Sequence, residues 1–354
     1  MVQTGLFDFG NRLKDISKFG DPLERLSKVI NFEVFRKDLD EALSFSNQGK
    51  GGRPAYDAVL MFKMLVLQAL YNLSDDQVEY QIKDRLSFMR FLGLSISHRI
   101  PDAKTVWLYR ERLKDAGAIE RLFTRFDEVL KSRGYLAMGG QIVDASIIQA
   151  SRQRMTKEEK ETIKAGSIPE DWKEKPAKLR QKDMEARWMV KTSKAKQEGM
   201  ADFGIPYFGY KNHLTSDHRY GFVRCYEVTA ANCHDGHVLP KILDKGNMAR
   251  VVWGDTAYHT HDNERHLEEN GFRSQLHRKK PKSKPMNQRI AQGNNTKSKV
   301  RAKVEHIFAS QKDKMGLFIR TIGLSRAKVK IGLTNLVYNF NRLSFWERKR
   351  AFAG

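Results

Sequence analysis

Residues 139–151 read GGQIVDASIIQAS, and the fold is decided there. The run 141–148 is apolar and rich in β-branched residues, with Gly139 and Gly140 before it and polar residues after it, which is the pattern of an inner strand. One carboxylate, Asp144, interrupts it. An ionised carboxylate inside such a strand is costly unless a cation meets it. Two later segments carry carboxylates suited to complete a site. In VVWGDTAYH, 251–259, Asp255 ends a second apolar strand, and in SKVRAKVEHIFASQK, 298–312, Glu305 lies on a helix. The expectation is that Asp144, Asp255 and Glu305 converge on divalent metal; taken singly, each reads more simply as a strand-end or surface carboxylate.

Composition narrows the class. The 354 residues are 40% hydrophobic and 30% charged, as in globular chains, and are enough for two domains. The most apolar stretch, 58–71, is interrupted by Lys63 and Gln68, so no membrane span is expected. The start, MVQTGLFDFGNRLKD, lacks a basic segment followed by an apolar one, so no secretory signal is expected. Two cysteines, Cys225 and Cys233, suit a reducing cytoplasm. The net charge of +22 asks for a polyanionic partner. Between residues 271 and 303 there are eleven Lys or Arg and no Asp or Glu, so half of that net charge falls in 33 residues that end beside Glu305. A basic run is commonly a solvated face, but one this concentrated beside a carboxylate site suits a phosphate backbone.

The first 135 or so residues read as all-helical. Apolar positions at helical spacing mark 22–43, QGKGGRP at 48–54 is a hinge, 55–73 is the central helix, and Ser74 with Gln77 has capping-box spacing. The Gly-Arg-Pro of the hinge reads as a linker rather than a minor-groove contact. Residues 77–114 carry either a helix-turn-helix presenting Lys104, Thr105, Tyr109, Arg110 and Arg112 to DNA or an ordinary charged surface helix. Residues 152–202 are polar and weakly periodic, an insertion or flexible arm in which Trp172 and Trp188 either stack on bases or anchor the arm. Strands at 207–214 and 220–229 form a hairpin, followed by a helix at 234–243, a strand at 250–255, a helix at 261–270 and a strand at 272–277. That order describes a mixed sheet covered by helices. His213 either faces the site or fills a pocket, and Cys225, Cys233, His234 and His237 lack the paired spacing of a zinc knuckle.

On the Glu305 helix, at about 100° per residue, Ser298, Arg301 and Lys312 fall at about +20°, −40° and −20° from Glu305. They line one face, and Val300, Val304, Ile307 and Phe308 form the neighbouring apolar face. A carboxylate flanked by cations on a docked helix suits metal and phosphate together. Alone, Arg301 and Glu305 would be an ordinary i, i+4 pair.

The blocks IVDAS, DMEARWMVK leading to YFGYKNHLTSD, VVWGDTAYH and RAKVEHIFASQK resemble, over nearly the whole chain, the DDE transposases of bacterial insertion sequences, most closely insertion-sequence family five. The resemblance implies a ribonuclease-H-like catalytic core built on a mixed five-stranded sheet, with Asp144 on the first strand, Asp255 ending the fourth and Glu305 on the following helix. The helix signature Tyr-x2-Arg-x3-Glu-x6-Lys is matched at Arg301, Glu305 and Lys312 and departed from at Ser298. Two Mg2+ ions, with Mn2+ as a substitute, are implied on Asp144, Asp255 and Glu305. Arg187, Trp188 and Lys211 within the blocks, and Arg278, Lys279 and Lys280 in the basic run, complete the expected DNA-binding set with Ser298, Arg301 and Lys312. The implied organisation is a helical DNA-binding and assembly domain at 1–137, a catalytic domain at 138–317 with a basic insertion at about 152–206, and a helical tail at 318–354. The implied partners are double-stranded DNA, both element ends and target, and further copies of the chain as a dimer or larger multimer, in the cytoplasm at the bacterial nucleoid. Two alternatives stand beside strand transfer: a nuclease of the same fold that cuts without joining, and a catalytically silent DNA-binding regulator.

Overall fold

The computed structural model describes residues 8–43, 54–193, 203–281 and 283–352. Most of the expected hinge at 48–54, with its Gly-Arg, part of the arm, and Lys282 of the basic run lie outside them. Two compact units divide the chain: one takes the residues up to 136, 309–316 and those from 332 onward, and the other takes 137–308 and 317–331. Among the described residues, no helix is long and apolar enough to cross a membrane.

The first unit is helical. Its N-terminal part contains α1 (Asp8–Lys18), α2 (Pro22–Val29), α3 (Arg36–Leu43), α4 (Ala58–Tyr71), α5 (Asp75–Asp84), α6 (Leu86–Leu92), α7 (Ala103–Asp115) and α8 (Ala118–Ser132). Apart from Lys63 and Gln68, α4 is apolar, and most of it is buried: Met61, Phe62, Met64, Leu65, Val66 and Leu67 are all within the core. Phe62 meets Phe35 edge-on with ring centroids 5.2 Å apart, and Phe126 meets Phe340 at 4.7 Å. The capping box forms as its spacing predicts: Ser74 Oγ accepts from the Gln77 N–H at 3.1 Å and Gln77 Oε1 from the Ser74 N–H at 3.0 Å. Two of the residues that the helix-turn-helix alternative would present to DNA from α7 turn inward instead. Tyr109 is buried and donates to the Ala58 carbonyl at 2.7 Å, and Arg110 makes a bidentate pair with Asp75 at 2.6 and 2.8 Å.

The second unit is a mixed sheet. Its strands are β1 (Gln141–Gln149), β2 (Arg187–Ser193), β3 (Phe203–Asp217), β4 (Val223–Ala230), β5 (Val251–Gly254) and β6 (Arg273–Leu276). Five of them lie in the order β4-β3-β1-β5-β6, with β1, β3 and β4 antiparallel and β1, β5 and β6 parallel. The sixth, β2, is an addition to the expected five. It pairs with the N-terminal half of β3, and at Gly209 that ladder gives way to the one with β1.

The expected arm is thus folded in its described part, through α9 (Lys157–Lys164), α10 (Glu170–Lys173) and α11 (Pro176–Arg180), then β2. Its centre is Trp172, fully buried, whose indole N–H donates to Glu159 Oε1 at 2.8 Å. Glu159 also accepts the Thr156 N–H and the Lys178 ammonium, which hold its carboxyl down at about 2. Trp172 therefore anchors the insertion and is closed to base stacking. Asp183 then ties the insertion to the sheet: it accepts from the Glu185 and Ala186 N–H groups, the Tyr210 hydroxyl at 2.7 Å and the Gly323 N–H at 3.2 Å.

Entry to β1 requires glycine. Gly140 has φ +89°, and a Cβ there would lie 2.5 Å from the Trp253 ring and 2.7 Å from the Val251 carbonyl. Asn247 clamps the same peptide by accepting the Gly140 N–H at 3.2 Å and donating to its carbonyl at 3.0 Å. This close approach sets β1 against β5. Completing the unit are α12 (Leu239–Ile242), α13 (His261–Glu269), α14 (Gln288–Ala309) and the start of α15 (Leu324–Ala351). The helix expected to carry Glu305 within 298–312 begins earlier, at Gln288, and ends at Ala309 in a π turn, Ser310–Lys314.

Candidate functional site

The parallel register Gln141↔Val252 and Ile142↔Trp253, extended by two residues, sets Asp144 abreast of Asp255. Asp144 is 9% exposed on β1 and holds the Ala145 N–H with Oδ1 at 2.8 Å. Asp255 follows β5 and caps its own turn, accepting the Ala257 N–H at 2.8 Å. From α14, Arg301 reaches both remaining partners: Nη1 donates to Asp144 Oδ2 at 2.6 Å, and Nη2 to Glu305 Oε1 at 3.1 Å. Val304, Ile307 and Phe308 are buried beside it, so the apolar face expected of this helix is the one that seats it.

The electrostatics follow from burial. Desolvation pushes the Asp144 carboxyl up to about 6, against the pull of Arg301 and the Ala145 N–H, and the charges of Asp255 and Asp235 push the same way as burial. His277 is lowered by desolvation and by Arg301, and opposed by Asp255. Tyr258 is fully buried with no partner for its hydroxyl, and its pKa is raised by burial and then by Asp144, Asp235 and Asp255. Asp144 and Tyr258 are buried, Asp255 and His277 half-buried, and Glu305 exposed. Among the described residues no three His, Cys, Asp or Glu side chains stand ready as a metal cage, and Arg301 lies between Asp144 and Glu305. The donor set nonetheless fits a hard divalent ion, being oxygen carboxylates of which the most buried carries a charge calling for a cation.

The basic run meets α14. Asn294 donates to the Arg278 carbonyl at 3.0 Å and accepts its N–H at 3.1 Å, while Lys297 donates to the Leu276 carbonyl at 2.9 Å. Arg278, Lys279 and Lys280 are exposed. Ser298 is exposed too, with its hydroxyl 3.5 Å from His277 Nε2.

Residues 136–340 match the model of the transposase DDE domain family, and residues 11–112 match that of a transposase domain, DUF772. The chain belongs to the DDE transposases. The mixed sheet and its helices are therefore the ribonuclease-H-like core of a transposase, preceded by a helical N-terminal region. No solved structure matches the chain. Transposases of this family act on DNA and generally use divalent metal ions.

In this transposase Asp144, Arg301 and Glu305 meet directly, with Asp255 abreast of the first. Trp188 is 39% exposed on β2, against Phe208 and under Arg152, while Arg187 donates to the Met184 and Ala186 carbonyls. Lys211 is turned inward: its side chain is 5% exposed and ion-paired to Asp235 at 2.8 Å, which removes it from any phosphate contact. Lys312 is exposed but lies in the π turn, where the 100° step used to place it beside Glu305 no longer holds. His213 is fully buried on β3, with Nε2 2.9 Å from Thr229 Oγ1 and Nδ1 3.8 Å from Asp235 Oδ1. Asp235 was not singled out by the sequence because 234–243 reads as one helix. That segment is a 3-10 turn, Asp235–Val238, before the four-residue α12, and the turn aims Asp235 at Lys211.

Proposed function

We propose that this transposase binds the terminal inverted repeats of its own insertion sequence, a member of family five, cleaves DNA at the element ends and joins the freed 3′ end to target DNA. The observation that carries this reading is the bridge from Asp144 through Arg301 to Glu305, beside Asp255 and against an exposed basic segment. Asp144, Asp255 and Glu305 would hold the divalent ion. When bound, Mg2+ or Mn2+ supplies Lewis acidity for both the entering and the leaving oxygen of an in-line displacement.

The protein's own part is charge and position. Arg301 bridges Asp144 and Glu305, and its guanidinium would be available to a DNA phosphate once those carboxylates held metal. Arg278, Lys279 and Lys280 lead the backbone towards α14 without reading sequence. Recognition of the ends is assigned to the helical N-terminal domain, and synapsis of two ends to a dimer or larger multimer. In the cleavage step water oxygen bonds to phosphorus as the P–O3′ bond breaks, leaving a 5′ phosphate and a 3′ hydroxyl. In the joining step that 3′ oxygen bonds to a target phosphorus, the target P–O3′ bond breaks, and the departing oxygen takes the proton. One phosphodiester replaces another, so joining needs no external energy source.

The test is a strand-cleavage and joining assay on DNA carrying the gene's own flanking sequence, with Mg2+ or Mn2+, comparing the protein with Asp144→Ala and Glu305→Ala. Metal-dependent cuts at the ends followed by joined products, absent in both variants, are expected. Cuts without joining would point to a nuclease, and end binding without cuts to a regulator.

A further inference from the structure

Asp235 belongs to no part of the machinery so far described, yet three contacts fix it beside the Asp255 turn. The neighbouring Gly236 packs so closely that a Cβ there would lie 2.7 Å from the Ala257 carbonyl, and Ala257 is the residue whose N–H Asp255 holds. Asn263 closes the junction, its amide donating to the Gly236 carbonyl at 2.9 Å and to the Tyr258 carbonyl at 2.8 Å. From below, Lys211 Nζ reaches Asp235 Oδ1 at 2.8 Å and the Cys233 carbonyl at 2.7 Å.

What surrounds this pair is incomplete. His213 Nδ1 stands 3.8 Å from Asp235 Oδ1 and has no hydrogen-bond partner, although the residue is fully buried. The Tyr258 hydroxyl is equally buried and has no partner among the described residues, with Asp144, Asp235, Asp255 and Arg301 as its charged neighbours. Among the described residues the hydrogen bond to this carboxylate falls on Oδ1, leaving Oδ2 without one, and the side chain keeps 22% of its surface open. An ion pair that served the sheet alone would leave its neighbours satisfied, because buried polar atoms without partners are costly and rare. Here both unmet atoms have Asp235 among their charged neighbours.

We infer that Asp235 is a fourth working carboxylate of the site, a positioning residue whose Oδ1 is pinned by Lys211 and whose Oδ2 accepts a hydrogen bond from the hydration shell of the divalent ion. This rests on the reading of Asp144, Asp255 and Glu305 as the metal-holding set. Small hard ions keep several waters when carboxylates bind them, and outer partners that orient those waters tune affinity. Lys211 keeps Asp235 from closing on the ion itself and from repelling Asp144 with a full charge.

The experiment is calorimetric titration of Mn2+ into the full chain without DNA, for the unaltered protein, Asp235→Asn, Asp235→Glu, Lys211→Met and Asp144→Ala, with thermal midpoints taken in chelator. The expected result is a roughly tenfold or greater loss of Mn2+ affinity in Asp235→Asn, whose midpoint falls because Lys211 is left buried without its counter-charge, partial recovery of affinity in Asp235→Glu, and affinity at least as high as the unaltered protein's in Lys211→Met. Unchanged affinity in Asp235→Asn, or an equal loss in Lys211→Met, would overturn the role of Asp235 while leaving the triad standing. No Mn2+ uptake by the unaltered chain, or uptake that survives Asp144→Ala, would bring down the metal-holding set itself, and Asp235 with it.

Discussion

Asp144 and Arg301, 157 residues apart in the chain, meet at 2.6 Å between Oδ2 and Nη1. The guanidinium is the cation that the apolar setting of Asp144 calls for, and it arrives from the helix that also carries Glu305. Replacing Arg301 with Met leaves the carboxylate buried and unpaired. We expect a loss of about 1–3 kcal/mol, below the full cost of breaking a buried pair because Arg301 is 24% exposed. Thermal melts in chelator and in Mn2+ check it: the deficit should be largest in chelator and shrink when Mn2+ is present.

The pH dependence of Asp144 runs opposite to that of a salt-bridged surface carboxylate. Its folded-state value is raised from 3.8 to about 6, so the folded protein holds a proton there more tightly than the unfolded chain does. That contribution to stability is fully present below pH 3.8 and is lost as pH rises through about 6. At about 1.4 kcal/mol per pKa unit, the ionised group costs the fold up to roughly 3 kcal/mol above that window. Asp144→Asn should therefore be more stable than the unaltered protein at pH 8 in chelator and equal to it near pH 4, while losing cleavage. Denaturant midpoints across that range decide it, and a variant no more stable at pH 8 would refute the burial argument.

Asp183 is a different kind of buried carboxylate, since four donors from three segments converge on it. Truncation to Ala strands the Tyr210 hydroxyl and three backbone N–H groups. The expected cost is about 2–4 kcal/mol. Limited proteolysis should then cut first near residues 184–190, ahead of β1.

At Gly140 the obstacle is backbone and ring rather than a flexible side chain, so an added methyl group cannot be absorbed by a rotamer change. Gly140→Ala also forces a left-handed φ of +89° on an ordinary residue. A loss of about 2–3 kcal/mol is expected, together with weakened Mn2+ binding as β1 shifts against β5. Asn247→Ala should mimic it more mildly, because it removes the clamp and keeps the glycine.

Where one segment contained its own explanation, the sequence could be read directly. The strand at 141–148 extends by a single residue in the structure, the central helix at 55–73 is α4 less its ends, and Ser74 caps as its spacing predicts. Asp144 stands out in the sequence because it punctuates a strongly apolar strand, but nothing in the sequence shows that Arg301 bridges it to Glu305. Residues whose meaning lies in a partner far along the chain could not be read in this way. Lys211 looks like any cation on a strand until Asp235 is found beneath it, and Tyr109 looks exposed until its hydroxyl meets Ala58. The strand β2 was missed because its Arg187–Ser193 run sits in a polar setting and gains its ladder only from β3. Trp172 offered two readings, and only the placement of Glu159 decides between them.

The insertion leaves the sheet at the end of β1 and returns along β3, its antiparallel neighbour, across a junction that a tight turn could have closed. It brings its own small core around Trp172, and Asp183 fastens its far end. Evolution can therefore lengthen, shorten or re-decorate the residues between these two strands without disturbing the register that sets Asp144 abreast of Asp255. Sequence change in that segment is thereby separated from the placement of the two aspartates.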